Sequence, residues 1–151
     1  MASIRRKITI NRSAHQVWDA LRDIGALHTR LVVGFVTDCK LENGSRIVTF
    51  ANGMTVREAI IDVSDEKRRV AWSATGGRLT HHNASAQVFS AAPDSSEVVW
   101  VADLLPHELA PSIAEMIEQG LQAMKRTLES GAARDSRPSQ PAAREPASPP
   151  G

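Results

Sequence analysis

The sequence predicts an α+β domain in which a curved antiparallel sheet of about seven strands wraps around a long C-terminal helix, with one or two short helices after the first strand. Three observations carry that reading. A strand-like stretch near the start gives way at once to a capped amphipathic helix. Six further strand-like runs follow, joined by connections too short for parallel crossovers. After Pro106 a helical period returns and is not interrupted again.

The first strand is Ile4 to Ile10, where Ile4, Arg6, Ile8 and Ile10 alternate with Arg5, Lys7 and Thr9. Ser13-Ala-His-Gln16 then has capping-box form, and Val17, Leu21 and Ile24 recur behind it at helical spacing beside Trp18, so a helix is expected to end near Gly25. A short helical piece is expected at Ala26 to Arg30. The strand runs are Phe35 to Leu41, Arg46 to Ala51, Met54 to Val63, Val70 to Thr75, Thr80 to Ala91 and Glu97 to Leu105. Asn43-Gly44 and Asn52-Gly53 join the first three, and Asn-Gly is the strongest short hairpin signal because a type I′ turn needs positive φ at both central residues. Asp65-Glu-Lys-Arg68, Gly76-Gly77 and Pro93-Asp-Ser-Ser96 make the remaining turns. In the closing helix Ile113, Met116, Ile117, Gly120, Leu121, Met124 and Leu128 share one side, opposite Glu115, Glu118, Gln122 and Arg126.

Composition limits the function. The chain has 151 residues with 42% hydrophobic and 23% charged, the make-up of one ordinary globular domain. Residues 1–130 carry the apolar pattern; 131–151 are mostly Ala, Pro, Ser and Arg, have no large apolar side chain, and are expected to form a disordered tail. Eighteen basic against 17 acidic residues give +1, which removes the electrostatic ground for nucleic acid as a partner. The longest aliphatic stretch, around Leu31 to Val36, is too short to insert into a membrane. A single cysteine, Cys39, and a start without an apolar leader point to a reducing, cytoplasmic setting.

Strand parity groups candidate site residues. If His82 faces inward, so do Thr80, Ala84, Ala86 and Val88; Val98, Trp100, Ala102 and Leu104 form a matching row, and Val56, Glu58 and Ile60 a third. Ile61 and Phe89 fall on the outer side and point to bulges or to a homodimer surface. A carboxylate at Glu58 on an apolar face needs a partner, either Arg46 or Arg57 or a ligand's polar end. Met116, Gly120 and Met124 suit a space between helix and sheet, because Met is flexible and Gly removes volume, although the same period also describes a solid core. His81 and His82 point to opposite faces and have no further ligand at metal spacing, and there is no phosphate-cradling loop or nucleophile elbow, so neither metal nor cofactor is expected.

Ser13-Ala-His-Gln-Val-Trp-Asp19, Val56-Arg-Glu58, Val70-Ala-Trp72 with Gly76-Gly77, and Val99-Trp100 running to Asp103 and Pro106 occur in an order that resembles the START-like (SRPBCC), helix-grip superfamily, in its polyketide cyclase/dehydrase-like branch. The resemblance covers about residues 3–130. It implies a helix-grip fold whose cavity holds a small hydrophobic or amphipathic molecule. The stretch from Arg57 to Leu79 is also similar to the plant abscisic-acid receptors, and that likeness implies cavity positions at Glu58, Trp72 and His82. Phe50-Ala-Asn-Gly-Met54 has no counterpart of the receptors' gate loop, so partner gating is not implied. Three functions follow as expectations: a carrier or binder using Glu58, Trp72, His82, Trp100, Met116, Gly120 and Met124; an aromatase/cyclase-type enzyme with Glu58 or His82 as acid or base; and a co-chaperone-like interaction module.

Overall fold

Ser13 stops the first strand from continuing and starts a helix: its hydroxyl accepts the Gln16 amide at 3.1 Å while the Gln16 side chain takes the Ser13 amide. The computed structural model describes residues 2–131. The expected tail beyond them lies outside the described residues. In chain order the elements are β1 (Ala2–Ile10), α1 (Ala14–Leu21), a π-helical turn (Leu27–Leu31), β2 (Val36–Glu42), β3 (Ser45–Phe50), β4 (Thr55–Ser64), β5 (Arg69–Thr75), β6 (His81–Ala92), β7 (Ser95–Leu105), a 3-10 turn (His107–Leu109) and α2 (Ala110–Ser130).

The seven strands form one antiparallel sheet in the order β1-β7-β6-β5-β4-β3-β2, so β2 to β7 are a plain meander and β1 returns to flank β7. Its concave side holds α2. Fully buried Ile10, Val48, Val70, Val98 and Leu104 from the strands meet Ile117, Leu121 and Met124 from the helix. Each such side chain contributes about 1.5–3 kcal/mol of burial, and this sheet-to-helix seam is the core.

Local chemistry corrects several boundaries. Helix α1 ends at Leu21 with Arg22 as its cap, short of Gly25. Gly25 serves a different purpose: a Cβ there would lie 3.0 Å from Leu41 Cγ, so it lets the chain pass close to β2. The short piece after it is a π turn, closed by the Val32 amide on the Leu27 carbonyl at 2.8 Å and tied by Arg30 to Asp19 of α1 and to Asp23 just after it. Asn43 (φ 49°) and Gly44 (φ 80°) make the expected two-residue turn. At Asn52-Gly53 only the glycine has positive φ, because the loop is longer and closes through the Phe50 amide on the Met54 carbonyl. Thr80 lies outside β6 and is exposed, whereas His82, Ala84, Ala86 and Val88 are buried on one face. A bulge between Ile60 and Asp62 leaves Ile61 out of the ladder and 61% exposed, while Phe89 stands in regular register opposite Glu97 and is also exposed.

Candidate functional site: a chamber between sheet and helix

Glu58 lies on β4 directly between Arg46 on β3 and Ala74 on β5. Strand pairing alone therefore delivers a cation beside it. Arg46 Nε donates to Glu58 Oε1 at 2.7 Å, with both side chains nearly withdrawn from water. Arg57, the other candidate, is paired with Glu42 at the surface. Arg46 also donates to the Ile24 carbonyl at 3.2 Å and lies 5.4 Å from the Trp72 ring centre, a cation–π contact that further fixes the guanidinium.

The aromatic row continues from there. Trp72 meets Trp100 edge-on at 5.7 Å, and Trp100 in turn lies under α2 at Gly120. A Cβ on Gly120 would sit 2.9 Å from Trp100 Cζ3 and 3.3 Å from Phe35 Cε2. Gly120 thus gives its missing volume to the indole and to Phe35.

His82 is held in an unusual way for a strand residue. The β5–β6 ladder runs only from Arg69–Gln87 to Trp72–Ala84; beyond it the Ala74 amide donates at 2.9 Å to His82 Nδ1 instead of to a backbone carbonyl. Ser73 Oγ donates to the His82 carbonyl and anchors the same residue from behind. A nitrogen that accepts cannot carry a proton, so the neutral ring bears its hydrogen on Nε2. Burial pushes the His82 pKa below its ordinary value, and neighbouring His81 adds to the shift.

Glu58, Trp72, His82, Trp100, Met116 and Met124 line one chamber of about 90 Å³; Gly120 does not. Sequence reasoning missed Phe35 and Phe50, which pack edge-on at 5.4 Å, and Leu27, Leu31 and Val32 from the π turn and the residue after it. It also passed over Ala74, although parity from Trp72 places it on the same face. Leu79, Ile113 and Met116 are shared with an outer recess of about 560 Å³ that includes Met54, Arg78 and Glu115. They form the partition between the two spaces. Among the described residues no three His, Cys, Asp or Glu side chains come together as a metal site, and no helix is long and apolar enough to cross a membrane.

Residues 1–129 match the profile of the family described as polyketide cyclase/dehydrase and lipid transport. The chain belongs to that family. No curated protein matches it in sequence. Solved structures that share its fold include a START superfamily protein from Mycobacterium smegmatis, 12% identical over 87% of this chain and 97% of that one, with a TM-score of 0.67. The di-domain aromatase/cyclase BexL of the BE-7585A biosynthetic pathway is 15% identical, with a TM-score of 0.75 over 87% of this chain and 48% of BexL. Norcoclaurine synthase from Thalictrum flavum, solved with dopamine and hydroxybenzaldehyde, is 18% identical with a TM-score of 0.67, covering 89% and 88%. The helix-grip architecture expected from the sequence is the one observed.

Proposed function

We propose that the protein binds a small hydrophobic or amphipathic molecule in the chamber between the sheet and α2. The observation that carries this reading is the chamber itself: an apolar space into which His82 brings one donor of fixed position and Glu58 one carboxylate whose charge Arg46 balances. The family's description includes lipid transport, and norcoclaurine synthase, of the same fold, was solved with two small aromatic molecules. A cytoplasmic setting remains part of the proposal and rests on the single, buried Cys39.

An aromatase/cyclase-type activity has the Glu58 and His82 pair in its favour, since both flank Ala74 on one face. The geometry supports binding over that chemistry. With Nδ1 already accepting and Nε2 protonated, His82 has no free lone pair to act as a general base, and Oε1 of Glu58 is already taken by Arg46. At about 90 Å³ the chamber is smaller than the roughly 150 Å³ apolar cavity known to take benzene, so a ring or dye enters only as the flexible Met116 and Met124 move aside, and a folded poly-β-ketone asks for a far larger rearrangement.

Native mass spectrometry of freshly purified protein, together with titration by an apolar fluorescent dye, tests the reading. A co-purifying small molecule or one-to-one dye binding is expected. Ala74→Leu, which fills the floor of the chamber, is expected to abolish dye binding while costing about 1–3 kcal/mol of stability. Equal binding by the variant would move the ligand elsewhere.

A further inference from the structure

Given the binding role proposed for the chamber, on which this inference rests, its hydrogen-bonding groups specify more than an apolar ligand. His82 presents one donor, Nε2–H, because its other nitrogen is committed to the Ala74 amide. Glu58 presents acceptors only. Its Oε1 receives Arg46, and among the described residues no hydrogen bond reaches Oε2. The two groups stand on either side of Ala74, Glu58 as its partner across β4–β5 and His82 through the ring bond to its amide. All three residues line the chamber, so a ligand end resting on the Ala74 methyl group has both side chains for neighbours.

We propose that the chamber selects a neutral ligand whose buried end is a hydroxyl, an alcohol or a phenol, which accepts from His82 Nε2–H and donates to the Glu58 carboxylate. A hydroxyl is the smallest neutral group that does both. A carboxylate ligand only accepts, and it brings a second negative charge beside Glu58 where the Arg46 charge is already spent. An ammonium only donates and leaves Nε2–H without an acceptor once the ligand covers it. At about 90 Å³ the chamber takes a short branched chain as it stands, and a single ring enters at this end only as the flexible Met116 and Met124 side chains move aside. Any longer part leaves past Leu79, Ile113 and Met116 into the outer recess.

Calorimetric titration of the full chain at pH 7.5 with phenol, toluene and benzoate tests this, since the three differ little in ring but fully in the group they carry. Phenol is expected to bind at least tenfold more tightly than toluene, and benzoate more weakly than either. Nitrogen-15 spectra of the wild-type imidazoles are expected to show His82 as the Nε2–H form and to shift that nitrogen on adding phenol but not toluene. His82→Phe is expected to erase the preference for phenol; should that variant not fold, the spectra of the unaltered protein decide. Toluene equal to phenol, benzoate binding as well as phenol, or a His82 proton on Nδ1 would overturn the inference and leave the binding reading standing. An apolar dye that binds while none of the three probes does has the same consequence. Failure of the dye and of every probe removes both.

Discussion

Arg46 and Glu58 neutralise each other away from water, so removing either strands the other. Arg46→Met leaves a carboxylate inside the chamber wall and is expected to cost about 3–5 kcal/mol in urea unfolding, whereas the double change Arg46→Met with Glu58→Leu is expected to recover most of it. Glu58→Gln keeps an acceptor for Arg46 but loses its charge, so it is expected to lower the melting temperature, the direction that distinguishes an ion pair from a carboxylate held only by ligand. A double variant no better than Arg46→Met would show that the pair's hydrogen bonds, rather than its charges, carry the stability. His82 makes a second prediction. Its folded pKa lies below the ordinary value of about 6.5, so the unfolded chain takes up the proton first. The stability contributed by the neutral ring is full above that ordinary value and is lost as pH falls through it toward the folded value. Protonation also puts a hydrogen on Nδ1, where the Ala74 amide must donate. Urea midpoints at pH 7.5 and 5.5 are expected to fall more steeply in the wild type than in His82→Gln; parallel falls would assign the acid sensitivity to other groups.

At Gly120, where α2 has no side chain, the Trp100 indole packs against the helix. Gly120→Ala gains about 1 kcal/mol of helix propensity but drives a methyl to 2.9 Å from Trp100 Cζ3, where overpacking costs about 1–3 kcal/mol. A net loss of stability is expected, measured against Gly25→Ala, whose new methyl meets only the exposed and movable Leu41 and is expected to change the midpoint little. If Gly120→Ala is the more stable of the two, the indole moves freely and does not fix the helix. The elements themselves were readable because they depend on neighbours in sequence: Asn43-Gly44, Ser13 with Gln16, and the period of α2 each settle their own conformation. Gly25 was misread as a helix stop because α1 already ends at Leu21 with Arg22 as its cap, and what lies against Gly25 is Leu41 of β2, a contact no local pattern carries. The same holds for the site. Parity brought Glu58, Trp72, His82 and Trp100 to one face, but Phe35 and the π-turn leucines reach the chamber through the fold, and the role of Gly120 could be assigned only once Trp100 was seen beneath it.

At the scale of the whole molecule, we propose that residues 1–130 are the folded unit. Residues 132–151 hold only small, polar, Pro and charged side chains, so deleting them is expected to leave the melting temperature and dye binding unchanged. A large loss on deletion would show that this segment contributes to the domain. The strand order has a consequence of another kind. Strands β2 to β7 each pair with their immediate neighbours in sequence, and β6 and β7 meet across the two residues Pro93 and Asp94. β1 pairs in full with β7, joining Ala2 to Leu104, almost the entire length of the fold apart. Closing so long a loop costs entropy before any contact repays it, whereas the hairpins need no such closure. The meander should therefore assemble first in time, with β1 docking after the rate-limiting step. Truncating Ile8 to Val should then speed unfolding and leave the refolding rate nearly untouched, while Val88→Ala within the β6–β7 hairpin should slow refolding.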